Sequence, residues 1–338
     1  KLVLVVMFLV AITQVSAPID GDLASVADPI AGIVLMAMAA FAPYMVYRVI
    51  AFLGFDLYNT MGSEQEAKNA MNRPVPVPGT PQGEGPKKIL DTNGNGVRDE
   101  YTEPGKPQEA GKDMRIGPTF YAVMPSPTDG SVWGTIRGNP GAVVRVDPGK
   151  NPHKALSEMY NVPLPGFGPR GGDIDKQGRV WVSLASGHMG VFDRRLCKGP
   201  LNGPNATGNH CPEGWKFYQY PGPGFKGIGE NSAESSYYSW VDQHNTFGLG
   251  EDIPMSTANL EDGLVALKDG KMISIRVPYP LGFYAKGFDG RIDDPNAGWK
   301  GRGLWAANGD RTPWLIEGGK GTKPFAAHFQ VRPNPLEK

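Results

Sequence analysis

Three stretches of this chain repeat one pattern. YNVPLPGF (residues 160–167), YQYPGPGF (218–225) and IRVPYPLGF (275–283) each run from an extended polar/apolar segment into Pro-x-Pro and then glycine and phenylalanine. Their first prolines, Pro163, Pro221 and Pro278, are nearly evenly spaced. Alternating with them are DGSVWGTIRGNPGAVVRVDPG (129–149), QGRVWVSLASGHMGVFDRR (177–195) and the looser GRGLWAANGDRTPWLIEGG (301–319). Each of these has a glycine turn, a tryptophan strand (Trp133, Trp181, Trp305) and a second strand that closes the unit. Asp129-Gly130 and Gln177-Gly178 supply the backbone conformations of a tight hairpin, and Val132-Trp133 and Val180-Trp181 supply the apolar strand that follows. Units of about 40–60 residues with several short strands apiece are the signature of β-propeller blades. The repetition therefore predicts a mainly β chain, with an incomplete propeller of about four blades over residues 115–338. In that frame the tryptophans pack blade against blade rather than stack on a ligand.

Composition supports this reading and narrows the function. Glycine (46) and proline (32) exceed a fifth of the 338 residues, as many tight turns between short strands require. Lysine plus arginine equals aspartate plus glutamate, 34 each, so no overall field draws the chain to nucleic acid.

Before residue 75 the chain is of another kind. Apolar runs occupy residues 2–19 and 30–47, and the second holds 18 residues without a charge, close to the length of a membrane-spanning helix. The first run admits two readings, a signal peptide ending at Val15-Ser16-Ala17 or a first span. The span is favoured, because a second apolar run follows at once and the sequence starts without methionine, as a fragment would. Lys1 before the pair and Arg48, Lys68 and Arg73 after it place both ends in the cytoplasm, since the connecting loop carries only Asp20, Asp22 and Asp28. The expected organisation is two membrane helices and a short polar helix (1–75), a Pro/Gly linker (76–90), a possible calcium loop with its lead-in (91–114), and the propeller.

ADPIAGIVLMAMAAFAPYMVYRVIAFLGFDLY followed by SEQEAKNAMNRPVPVPG resembles the membrane region of bacterial TrbL-type conjugal-transfer proteins, subunits of type IV secretion channels. VRVDPG, GGDIDKQGRVWVSLASGHMGVFDRR, CKGPLNGPNATGNHCPEGW and FYAKGFDGRIDDPNAGWKGRGLW resemble exported bacterial carboxypeptidase-regulatory-like-domain proteins, whose later region is a propeller of the streptogramin-lyase or NHL kind. That resemblance implies a periplasmic or extracellular propeller, although the charge pattern points to the cytoplasm. It also implies a β-sandwich, a haem-binding segment and earlier blades upstream; none is present here, nor is any Cys-x-x-Cys-His. A chimera of a conjugal-transfer protein and an exported propeller protein is one reading of this disagreement. In an exported domain Cys197 and Cys211 are expected to bond.

The candidate sites are few. In DTNGNGVRDEY, Asp91, Asn93, Asn95, the Val97 carbonyl and Asp99 stand at positions 1, 3, 5, 7 and 9 of a calcium-type loop, with Gly96 at the turn. Position 12, where a bidentate glutamate belongs, is Thr102, so the loop reads as a weak Ca²⁺ site or as an Asx-rich turn without metal. No nucleophile elbow or His-Glu-x-x-His is present. Resemblance to streptogramin lyases implies a histidine–glutamate pair, for which His188 with Glu230 or Glu234 is the available choice. Asp173, Asp175, Asp289 and Asp293 could ring the mouth of the central channel or cap turns. The expected partners are the bilayer, through residues 30–47, and an unknown ligand or protein on the propeller face. The function favoured is a non-catalytic binding or scaffold module, and the alternative is a divalent-cation-dependent lyase or hydrolase.

Overall fold

The computed structural model describes residues 87–278, 282–308 and 325–332. The chain divides into Lys1–Gly83 and Glu84–Lys338. Both apolar runs lie outside the described residues, among which no helix is long and apolar enough to cross a membrane.

Short strands β1 (Ile89–Leu90), β2 (Tyr101–Thr102) and β3 (Asp113–Arg115) lead in. Four antiparallel sheets follow in chain order. The first comprises β4 (Val123–Pro125), β5 (Val132–Ile136), β6 (Ala142–Asp147) and β7 (Leu156–Asn161). The second comprises β8 (Pro169–Ile174), β9 (Val180–Leu184), β10 (His188–Phe192) and β11 (Trp215–Gln219). The third comprises β12 (Ser239–Asp242), β13 (Ile253–Ala258), β14 (Gly263–Lys268) and β15 (Lys271–Arg276). The fourth shows β16 (Ala285–Ile292), β17 (Arg302–Asn308) and β18 (Phe325–Phe329). The opening strands neighbour one another in sequence, β4 beside β8, β8 beside β12 and β12 beside β16. This is the propeller-like arrangement that the repeats predict. The first prolines of these segments, Pro163, Pro221 and Pro278, fall just after a sheet's last strand, β7, β11 or β15, ends. Proline, with no N–H to give a ladder, suits that exit.

Period-two alternation explains how blades stack. All five residues of β9 are buried. Val180, Val182 and Leu184 pack with Met124, Trp133, Val143 and Tyr160 of the first blade, whereas Trp181 joins Val241, Val265 and Leu267 of the third. Strand β14 repeats this, with Leu264 and Ala266 turned to a core shared with Phe288 and Leu304 of the fourth blade. The third blade escaped the tryptophan pattern because Met255, fully buried, takes that place on β13.

The lead-in does not stand apart from the propeller. β1 lies between β3 and β7, which makes the first sheet seven-stranded in the order β2-β3-β1-β7-β6-β5-β4. Leu90 and Ile116 bury against Ile136 and Val144. An outer edge that would otherwise offer free N–H and C=O groups is thereby covered.

Candidate functional site

The opening strands of all four blades wall one cleft of about 590 Å³. Asp173 comes from β8, downstream of a register irregularity between Pro169 and Gly172, a device that re-aims side chains beside sites. Its Oδ1 accepts the Ile174 N–H at 2.8 Å, and its Oδ2 accepts the Val241 N–H of the next blade at 2.9 Å. Asp289 projects from β16 into the same cleft, opposite Trp305 in the β16–β17 register. Tyr238, Trp240, Phe288 and Trp305 supply aromatic wall. Two glycines make room for them. A Cβ at Gly171 would overlap the Tyr238 ring, and one at Gly290 would overlap the Trp240 ring.

The cleft is electrostatically one-sided. Among the described residues that line it, none is lysine, arginine or histidine. Burial pushes the Asp173 carboxyl above the usual aspartate range, and the charges of Asp289 and Asp175 add to the rise. Burial likewise raises the Tyr238 phenol, with Asp173 and Asp289 contributing, so it remains a neutral donor.

The four aspartates chosen from sequence therefore separate. Asp173 and Asp289 meet in the cleft, while the other two hold turns. Asp175 is fully buried, bonds the Arg179 guanidinium at 2.6 Å and accepts the Trp181 indole N–H at 2.9 Å. Asp293 accepts the Trp305 indole N–H at 3.0 Å and pairs with Arg291. The tryptophans separate as well. Trp133 and Trp181 are packed between blades, but Trp305 is 37 % exposed and lies parallel to the His328 ring at 4.1 Å.

His188 begins β10, buried, with Nδ1 3.1 Å from Ser186 Oγ and Nε2 without a hydrogen-bond partner. Burial lowers its pKa, and the charge of Glu230 partly restores it. Glu234 is not its partner. Its Oε1 accepts the N–H groups of Ser235 and Leu260, and burial raises its carboxyl.

In the loop after β1, Asp91 caps the turn, accepting N–H groups from Gly94, Asn95 and Gly96. Asn93 Oδ1 accepts the Asn95 N–H, Asn95 Oδ1 accepts the Val97 N–H, and both amide groups donate to Asp99. A residue that sequence reasoning missed closes the loop. Asp113 of β3 is fully buried and accepts the Asp99 N–H at 3.0 Å through Oδ2. Burial raises its carboxyl, and Asp91 and Asp99 add to the rise. Among the described residues no three His, Cys, Asp or Glu side chains form a metal cluster by themselves.

The Cys197–Cys211 disulfide is formed. It closes the loop that follows Arg194, whose guanidinium grips buried Glu158 of β7 at 2.6 and 2.8 Å.

No family model matches the chain, and no curated protein matches it. Solved structures do. One is a protein of unknown function from Bacteroides caccae, 12 % identical over 67 % of this chain and 73 % of that one, with a TM-score of 0.38. Another is an inactive variant of virginiamycin B lyase from Staphylococcus aureus with quinupristin, 14 % identical over 73 % and 74 %, with a TM-score of 0.37. Selenomethionine-substituted virginiamycin B lyase from the same organism is 15 % identical over the same shares, with a TM-score of 0.38. These are propeller-like neighbours at low identity, and no site is carried over from them.

Proposed function

We propose that this chain is a binding module, held at a bacterial membrane by residues 30–47, whose cleft takes an organic cation with an apolar or aromatic body. The observation that carries this reading is the pairing of Asp173 and Asp289 with four aromatic side chains in a cleft whose described lining has no cation. A cation over an aromatic face gains about 0.5–2 kcal/mol, more as water is excluded, and the carboxylates add direction. The Cys197–Cys211 bond supports a module outside the cytoplasm.

Phenethylamine and its anionic counterpart 3-phenylpropionate are suitable probes, read by tryptophan fluorescence. The amine should bind and the acid should not. Asp289→Asn should weaken amine binding about tenfold, equivalent to about 1.4 kcal/mol. Because the folded pKa of Asp173 is raised, its negative charge disappears at a higher pH than an ordinary aspartate's. Amine binding should fall on acidification while exposed carboxylates are still ionised, and recover as pH rises through that pKa. Equal binding of amine and acid, or an Asp289→Asn variant that binds normally, would overturn the reading.

The membrane assignment has its own measurement. The full chain is expected to stay with membranes through an alkaline carbonate wash, and its release would remove the anchor.

A second reading rests on His188, whose buried Nε2 lacks a partner beside Ser186 and near the charge of Glu230. A lyase or hydrolase activity lost in His188→Ala would favour it. His188 does not line the cleft.

A further inference from the structure

We propose that residues 91–113 form a calcium site in which Asp113 supplies the carboxylate that the loop lacks at position 12, and that the ion fastens β1, the loop and β3 into one body on the outer edge of the first blade. The proposed ligands are Asp91, Asn93, Asn95, the Val97 carbonyl, Asp99 and Asp113. All are oxygen donors, the set preferred by a hard cation of flexible coordination such as Ca²⁺. Carboxylates alone do not build the cage. The amide and carbonyl oxygens of a calcium loop complete it, and each Asn Oδ1 here spends one lone pair on a backbone N–H and retains the other.

The observation that points to a ligand is Asp113 itself. It is 0 % exposed, and its Oδ1 has no hydrogen-bond partner, because the neighbouring Thr92 N–H is bonded to the Leu90 carbonyl at 3.0 Å. Its other oxygen is bonded to the N–H of Asp99, which fixes the carboxylate against the loop. A buried carboxylate oxygen without a donor is strongly unfavourable unless a cation or proton satisfies it. Among the described residues no lysine or arginine does so. Among the described ion pairs Lys112 goes to Glu100 and Glu109, and Arg115 goes to Glu103. Thus Asp113 lies near Asp91 and Asp99 with no described cationic partner.

The consequence of binding follows from how thinly the lead-in is attached. β1 pairs with β7 at one register position, Leu90 with Ser157. Further ties are the Leu90–Ile116 packing, the Gly203 N–H to the Asp91 carbonyl at 2.8 Å, and Arg98 to the His153 carbonyl. An ion joining positions 91–99 to Asp113 would draw β1, the loop and β3 into one body. The contact at Gly203 would carry its effect into the disulfide loop.

The test uses the full chain in detergent, with Ca²⁺, Mg²⁺ or chelator. Calcium a hundredfold above its Kd should raise Tm by about 5–10 °C, and magnesium should not. Asp113→Asn keeps an oxygen for the Asp99 N–H. It should shift the calcium midpoint at least tenfold upward, while melting no lower than the parent in chelator. A purely structural Asp113 would instead lower Tm in chelator and leave the calcium midpoint alone. Asp99→Asn, at an exposed position, should produce the same shift and decides the matter if Asp113→Asn fails to fold. Calcium should also protect residues 91–113 from protease. No calcium-dependent rise in the parent, or an unchanged midpoint in the variants, would overturn the site.

Discussion

Replacing Glu158 with alanine is expected to cost about 3 kcal/mol, a Tm loss of about 6–12 °C. Glu158 is 7 % exposed and takes the Arg194 fork, Arg145 Nη1 at 3.3 Å and the Tyr160 hydroxyl at 2.5 Å. Its removal takes one carboxylate from Arg145, which is 11 % exposed, keeps Asp129 at 2.8 Å and Asp147 at 3.4 Å, and has an Nε already without a hydrogen-bond partner. Its hydrogen bonds to the Glu158 carboxylate hold the Arg194 guanidinium above its usual range, and burial together with Glu158 raises the Tyr160 phenol. Arg194 is 35 % exposed, so water can take over part of its loss, which keeps the cost near the lower end for a broken buried pair. Glu158→Gln retains the shape and an acceptor and should cost less. Urea unfolding monitored by tryptophan fluorescence is the measurement, and a change within about 0.5 kcal/mol for Glu158→Ala would show that the cluster is not holding the first two blades together.

Opening the disulfide should have a similar effect, about 3 kcal/mol, because the bond joins residues 14 apart and restricts the unfolded chain. The Cys197→Ser/Cys211→Ser double variant and chemical reduction of the parent should agree. The two lesions should also be coupled. Arg194 lies three residues before Cys197, and its carbonyl accepts the Cys197 N–H. A freed loop therefore weakens the hold of Arg194 on Glu158, and Glu158→Ala should cost less once the bond is open. The sum of the separate losses should exceed the combined loss by 0.5 kcal/mol or more on the order of neighbouring-site couplings. Strict additivity would mean that the loop does not position Arg194.

The mainly β character and the recurrence of several sheets followed from turn chemistry and repeat spacing, because a sequence displays both directly. Trp133 and Trp181 are buried as that pattern expects, and Cys197 and Cys211 are bonded. The cleft was only half visible. Asp173 and Asp289 were among the chosen aspartates, but Asp175 and Asp293 have the same neighbours in sequence, glycine turns and tryptophan strands. Only tertiary register separates an aspartate that caps an indole from one that faces the axis. Tyr238 and Trp240 carried no signal, because their place depends on Gly171 and Gly290 in adjacent blades. Asp113 sits in the featureless stretch GKDMRI, 14 residues after Asp99, and the pairing of β3 with β1 and β2 brings it to the loop. Glu158 had one faint cue: it shares a strand face with Tyr160, which predicts an acid placed among apolar neighbours.

The two-sided burial of β9 and β14 also governs how this molecule should come apart. Each middle blade is the floor of one core and the ceiling of the next, so the folding free energy resembles a chain of nearest-neighbour couplings more than one shared interior. Unfolding in such an array can begin at an end and advance blade by blade, and cooperativity falls when any single interface is weakened. Heat and denaturant should then follow different probes at different midpoints: Trp240, between the third and fourth blades, need not melt with Trp133, between the first and second.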